Sequence, residues 1–235
     1  MTFISGKSRR VFRQHDLTHS PVGLWQFNSS LADTSGNGFT LTLNGTNAYT
    51  TLNGAPAFAF NGSTYLTRAS NDAALTITGD LTIEMLASFH NYPGVDQTNT
   101  IIVNFGETGD GDPTRNVIYQ FRTRTAAPGV QYNAETGDGT TDILYEFING
   151  TPPDDTGHHL AFRRQSNVLS LFVDGILLNQ SGTITAATGG SASRLSVGAF
   201  VDGALPVRMT MGSLKIIASA LSDAQVLAEA QRTVL

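Results

Sequence analysis

The sequence predicts an all-β protein, a two-sheet antiparallel sandwich or a barrel, on three observations. Short apolar or alternating runs recur with period two, turn clusters such as SGNG, GDGDP and PPDDTG separate them, and nothing between them is long and 3.6-periodic. In chain order the runs are VGLWQF (22–27), FTLTL (39–43), AFAF (57–60), LTIEMLASF (81–89), TIIVNF (100–105) and NVIYQFR (116–122). They continue with GVQYNA (129–134), HHLAFRR (158–164), VLSLFVDG (168–175), RLSVGAF (194–200) and MTMGSLKIIA (209–218). Composition agrees: of 235 residues 24 are Gly and only 14% are charged, with Thr, Ser and Asn in place of helix-forming Lys and Glu. The absence of Cys removes thiol catalysis, thiolate metal sites and disulfides together. A net charge of −5 argues against a nucleic-acid partner, and no apolar run approaches the roughly 20 residues of a membrane-spanning helix.

The ends differ from the middle. Ser222 followed by Gln225 forms a capping box, Leu221 and Val226 a hydrophobic staple, and Val226, Leu227 and Ala230 an apolar face. One short C-terminal helix is therefore expected, too short to stand without packing on the sheets. Residues 1–20 form a separate basic arm, with Lys7, Arg9, Arg10 and Arg13 against Asp16, so that it carries +3 and residues 21–235 carry −8. The arm is expected to act in assembly, with Lys7, Arg9, Arg10 and Arg13 meeting the acidic body of a neighbour and Phe12 docking in a groove. It has basic residues but no apolar stretch of a signal peptide, so either synthesis in a cytoplasm with exit by another route or a trimmed exported parent is expected. The sequons at Asn28, Asn44, Asn61 and Asn149 carry little weight in a chain this rich in Asn, Ser and Thr.

The ordered set LWQFNSSLADTSGNG (24–38), FAFNGSTYL (58–66), LTIEML (81–86), HHLAFRRQSNVLSLFVDG (158–175), LSVGAF (195–200) and GSLKIIASALSDAQV (212–226) resembles the laminin-G-like, concanavalin A-like lectin/glucanase jelly roll. The resemblance spans about Val22 to Arg232 and implies one domain over 21–235, with one concave and one convex sheet. In VLSLFVDGILL the pair Asp174-Gly175 reads as the tight turn of a hairpin. In relatives that bind calcium, an acidic loop like DTSGNG and a late acidic residue contribute ligands. Asp33 keeps the first, whereas Lys215 stands where the second would be.

Catalysis finds no support. Glucanases of this broad fold carry acids at i, i+2 and i+4 or i+5 on one strand, whereas Glu84 is followed by Met85, Leu86, Ala87 and Ser88. His158 and His159 are adjacent and point to opposite faces of a strand, and the resemblance gives His159 a structural place in a core strand. A repeated pentapeptide, ETGDG at 107–111 and 135–139, is expected in two loops; Asp110 and Asp112 in the first are candidate calcium ligands, with Asp33 as a third. No cofactor other than calcium is suggested. For sugar binding, Tyr119, Phe121, Tyr132 and Tyr145 lie on the middle strands, where relatives form the concave face, and Tyr119 and Phe121 share a face. The competing expectation is that these rings face the core.

The function expected from the sequence is a non-catalytic protein of a virus particle, a bacteriophage head decoration, fibre or tail component. It would be anchored by its arm, homo-oligomeric (trimeric by analogy), and in contact with cell-surface glycans. The alternative is a secreted or cell-surface lectin-like module.

Overall fold

The computed structural model describes residues 19–46, 48–68, 72–89, 100–106, 117–126, 129–137, 142–147, 156–184 and 194–233. Strands, numbered in chain order, form two antiparallel sheets. The eight-stranded sheet runs β13 (Ile176–Gln180), β12 (Val168–Val173), β11 (His158–Gln165), β6 (Leu81–Phe89), β15 (Arg208–Ile217), β4 (Ala55–Asn61) and β3 (Tyr49–Leu52), with β1 (Gly23–Trp25) also pairing β15. The seven-stranded sheet runs β10 (Asp142–Phe147), β9 (Gly129–Gly137), β8 (Val117–Ala126), β7 (Thr100–Gly106), β14 (Arg194–Val197), β5 (Tyr65–Thr67) and β2 (Thr42–Asn44). This is the expected sandwich, consistent with a jelly roll, and the expected runs each hold a strand.

Strands β3, β5 and β10 were not among the expected runs. Each is short and takes its conformation from pairing with a longer neighbour rather than from its own apolar pattern. The second ETGDG copy is likewise not a loop at its start: Glu135, Thr136 and Gly137 belong to β9, paired with Leu144, Ile143 and Asp142 of β10. Asp174 and Gly175 both have positive φ, 50° and 80°, which is the expected tight turn between β12 and β13.

Alternation puts one residue in two between the sheets. Leu81, Ile83, Met85 and Phe89 of β6 and Leu160 and Phe162 of β11 meet Phe105, Tyr119, Phe121 and Tyr132 of the other sheet in one core. Phe121 stacks on Phe162 across the interface at 6.0 Å and on Tyr132 at 5.2 Å, while Phe105 stacks on Tyr119 at 5.1 Å. Such rings supply the largest apolar burial of any side chains. Gly198 has φ +87° and lies against the Phe60 ring, which a Cβ would strike, so both backbone and packing require glycine there.

Helix α1 (Asp223–Thr233) lies on the outer face of the eight-stranded sheet, with Leu221 and Val226 buried against Ala161, Phe172 and Ile217. Its start is capped as expected: the Ser222 amide donates to Gln225 Oε1 at 2.7 Å, and the Gln225 amide approaches Ser222 Oγ at 3.4 Å. Arg163 fixes this end by donating to Leu221 O (2.8 Å) and pairing with Asp223 (2.7 Å). Beneath the helix Lys215 sits between two buried carboxylates, 3.0 Å from Glu84 and 2.7 Å from Glu229, and Arg232 reaches Glu229 at 3.1 Å. His159 Nε2 is 3.5 Å from the other oxygen of Glu84. Burial pushes the Glu84 carboxyl up, but the His159 imidazole and the Lys215 ammonium outweigh it and hold the group below the usual carboxylate range.

Two further polar pins lie near the sandwich ends. Asp33 closes the loop between β1 and β2: its carboxylate accepts from the amides of Leu24 (2.9 Å), Ser35 (2.8 Å) and Phe39 (3.0 Å) and from the Ser35 hydroxyl (2.7 Å). Burial pushes its carboxyl up, and these four donors reverse the effect and leave it below the usual range. Arg164, projecting inward from β11, donates to Gly79 O (2.8 Å), Ile77 O, Ile118 O (3.2 Å) and Thr136 Oγ1 (2.6 Å). No carboxylate is among these acceptors, and burial lowers the guanidinium to about 10.

Arg164→Lys should lower the free energy of unfolding in urea by at least ~3 kcal/mol, because one ammonium cannot replace the fork and leaves buried carbonyls unmet at roughly 1–3 kcal/mol each. A loss below about 1 kcal/mol would contradict the role given to this side chain. Stability should also be acid-sensitive. Asp33 and Glu84 bind protons less tightly folded than unfolded, so their contribution is present above their unfolded values of about 4 and is lost as pH falls through the lower folded values. Thermal unfolding should give a Tm that drops steeply below about pH 4; a Tm unchanged from pH 7 to pH 3 would refute this.

Candidate functional site

The outer face of the seven-stranded sheet carries a polar row. Val103 and Phe105, Tyr119 and Phe121, Tyr132 and Ala134, and Leu195 and Val197 all face the core. Alternation therefore turns Asn104, Gln120, Asn133 and Ser196 to the other face. Register sets Ser196 beside Asn104, Asn104 beside Gln120, and Asn133 beside Arg122. The row continues through Thr67, opposite Ser196, to Thr42 on β2. It is graded in access: Thr42 is exposed, Thr67 half-buried, and Ser196, Asn104, Gln120 and Asn133 fully buried. A wide bend in β7, where Ile102 has no cross-strand partner on β8, keeps Asn104 in line with Gln120.

The row has an internal direction. Gln120 Nε2 donates to Asn104 Oδ1 at 2.9 Å, and Asn104 Nδ2 donates to Ser196 Oγ at 3.4 Å. Gln120 Oε1 and both amide atoms of Asn133 are buried without a hydrogen-bond partner. A buried amide with unmet capacity costs about 1–3 kcal/mol, which a polar ligand with matching groups would recover. The described side chains of the row are amides and hydroxyls, groups that both donate and accept hydrogen bonds.

The aromatic platform expected from the sequence is not there. Tyr119, Phe121 and Tyr132 are fully buried between the sheets and cannot present a ring to a sugar. The Tyr119 hydroxyl donates to Leu75 O at 3.2 Å, and burial pushes its pKa well up. Tyr145 is half-buried and donates to Gln180 O at 2.9 Å, tying the edge strand β10 to the edge strand β13. The reason is the phase of alternation: rings two apart do share a face, and that face is the core. Asp33 is also corrected as a metal ligand, since both of its oxygens already accept backbone and hydroxyl donors. Asp110 and Asp112 lie outside the described residues, as do the arm residues Lys7, Arg9, Arg10, Phe12 and Arg13. Among the described residues no group of three His, Asp or Glu side chains is placed to hold a metal ion.

Sequence reasoning missed Asn104, Gln120, Asn133 and Ser196, although they alternate with the aromatics in the same runs. Their signal is a polar side chain at successive outer positions of adjacent central strands, with Arg122 and Glu135 among the amides. Elsewhere, Thr156 Oγ1, His158 and Asp174 line up, with His158 Nε2 2.8 Å from the hydroxyl and Nδ1 2.6 Å from the carboxylate. The order is that of an acyl-transfer relay, but Asp174 belongs to the hairpin turn and also accepts from the His159 amide at 3.0 Å. This group fastens the turn.

Several solved structures share the fold. Domain 4 of AbnA, an extracellular GH43 arabinanase of Geobacillus stearothermophilus solved with arabinotriose, is 17% identical, covers 90% of this chain and 98% of its own, and superposes with a TM-score of 0.65. The binding domain of Paraclostridial Mosquitocidal Protein 1 is 12% identical over 91% of this chain with a TM-score of 0.68, and the chain spans only 52% of it. The Trypanosoma rangeli sialidase in complex with the inhibitor DANA is 14% identical over 90% of this chain and 33% of its own, with a TM-score of 0.62. These neighbours are thus parts of glycosidases as well as a binding domain, and at such identities they establish the fold alone. No curated protein matches by sequence. The Laminin_G_3 family matches residues 60–227, and the chain belongs to it, within the concanavalin A-like lectin/glucanases superfamily.

Proposed function

We propose that this protein is a non-catalytic carbohydrate-binding module whose ligand lies along the outer face of the seven-stranded sheet. The observation that carries this is the row Ser196–Asn104–Gln120 with Asn133 beside it, whose buried amides have capacity that no protein group meets. Support comes also from family membership and from the structural neighbour solved with arabinotriose. Against catalysis stands Glu84, the acid on the central strand, which is held by Lys215 and His159 under α1 on the opposite sheet. On an oligosaccharide array the protein should give a defined set of ligands. Asn133→Leu, which keeps the branched skeleton of Asn without its polar atoms, should weaken them by roughly 10-fold or more, or about 1.4 kcal/mol. A folded Asn133→Leu variant that binds like the parent would sink the assignment.

We propose in addition that the module is carried on a larger assembly, a virus particle whose exposed sandwiches meet glycans at a cell surface, and that residues 1–20 make the attachment as part of a homo-oligomer. Charge supports this, with +3 on residues 1–20 facing −8 on the remainder. So does position: His19 lies 3.3 Å from Gln225 of α1, on the sheet opposite the polar row, so attachment there would leave the sugar face free. Removing residues 1–18 should shift the Tm by no more than about 2 °C and abolish the oligomer seen by light scattering. An oligomer that survives the deletion would rule out attachment by the arm.

A further inference from the structure

We infer that the surface shared by β13 and α1 seats the basic arm of a neighbouring copy. Val11 and Phe12 would cover its apolar centre, and the arginines around them would meet the carboxylates at its rim. This rests on the proposal that residues 1–20 join copies of the chain, and it names the surface they meet. The large apolar side chains left exposed among the described residues are Ile176, Leu177, Leu178 and Leu227, at 69%, 38%, 41% and 41%. They lie together. Leu177 is the cross-strand partner of Phe172, and Phe172 is buried with Val226 of α1, so Leu177 stands on the helix side of the sheet. Leu178 falls at the bulge between this pair and the pair Leu171–Asn179. Leu227 lies against the turn that leads into Ile176, where a Cβ on Gly175 would strike it. Strand β13 also ends its sheet with neither charge nor proline in Ile176–Gln180, the usual protections of an edge. Exposed leucines scattered singly are ordinary, whereas four at one corner are the pattern of a surface that a partner covers.

Charge and reach choose the occupant. Two carboxylates flank the patch, Asp174 at the hairpin turn and Asp223 at the start of α1, with 41% and 62% of their side chains exposed. Each has an inner partner, His158 or Arg163, and keeps surface in solvent. The run Arg9-Arg10-Val11-Phe12-Arg13 has the complementary order, two apolar residues between arginines. Each guanidinium offers a planar fork that matches a carboxylate. A second copy of the patch itself would bring the same two carboxylates to the rim and no cation from the run. As for reach, His19 lies 3.3 Å from Gln225, two residues before Leu227. The six steps from residue 13 to residue 19 span at most about 20 Å. Each arm therefore leaves its own body beside the surface on which another is seated. Two copies meeting there can exchange arms reciprocally, and the assembly closes with no patch left over.

The test is the oligomeric state of full-length variants by sedimentation and light scattering. Leu177→Lys and Leu227→Lys put cations where the arginines are to come. Lysine suits both an edge strand and a helix interior, and thermal melts check that the variants fold. Each should raise the dissociation constant of the oligomer by about 10-fold or more, and Phe12→Ser should do the same. The parent has no Cys, so a disulfide can identify the contact. Mixed and oxidised, the Val11→Cys chain and the Leu227→Cys chain should give a covalent heterodimer. Suppose that deleting residues 1–18 dissolves the oligomer while folded Leu177→Lys and Leu227→Lys assemble like the parent. That result would overturn this inference and leave attachment by the arm intact. A doubly substituted Val11→Cys, Leu227→Cys chain that closes on itself as a monomer would seat the arm on its own body, against the exchange. An oligomer that survives loss of the arm but not Leu227→Lys would mean that two patches meet each other, and a monomeric parent would mean that nothing does. Either would overturn the inference and the arm reading together.

Discussion

A guanidinium inside an apolar sandwich is expensive unless each of its donors is met, and the arrangement around Arg164 meets them with backbone. Its partners are Ile77 O and Gly79 O from the segment entering β6, and Ile118 O and Thr136 Oγ1 from β8 and β9 of the opposite sheet. One side chain from the eight-stranded sheet thus fixes the position of two strands of the other. At Ile118 the β7–β8 pairing shifts, with Gly106 opposite Val117 and Phe105 opposite Tyr119, so the phase of β8 is decided where Arg164 holds it. That phase is what places Tyr119 and Phe121 inward and Gln120 outward. Because a slip of one residue exchanges the faces of a strand, the candidate site depends on this pin at the opposite face of β8.

The opposite sheet uses its outer face for a different purpose. Lys215 occupies the place where relatives of the resembling pattern often have an acid, and in this chain it neutralises Glu84 and Glu229 between sheet and helix. Lys215 is thus part of a consistent charge arrangement: two buried carboxylates, with Lys215 between them and Arg232 beyond. Breaking such a set is far more costly than never having built it. The helix therefore seals one outer face with charges matched from within, and it does so over β6, the strand that carries Glu84.

Much of the fold was legible because alternation is a local property. LTIEMLASF is β6 residue for residue, Asp174-Gly175 makes the hairpin turn, and Ser222 with Gln225 caps α1. Strands β3, β5 and β10 were not legible, since three to six residues with little alternation become strands only beside a partner. The site was misread for a related reason. The sequence NVIYQFR reveals that Tyr119 and Phe121 lie opposite Gln120, but period two alone does not say which set faces the other sheet. Apolarity answers that question: burying two rings is worth several kcal/mol, whereas turning Gln120 and Asn133 inward would strand two amides among them. The core wins the aromatics, and the amides take the outer face.

That division also explains why the unmet atoms are informative. Several structural polar groups are closely satisfied: Asp33 has four donors, Arg164 four acceptors, and Trp25 Nε1 donates to Phe39 O at 2.8 Å. Glu84, Arg163 and His159 each leave one atom without a hydrogen bond while otherwise engaged, and the buried Ser88 hydroxyl has none. Asn133 differs in having neither end of its amide engaged, one strand from Gln120, whose carbonyl is also open. An apolar side chain at 133 would avoid that penalty of roughly 1–3 kcal/mol. An open amide at such a position, on the face away from the core, is what a ligand that can both give and receive hydrogen bonds would complete under the proposed function.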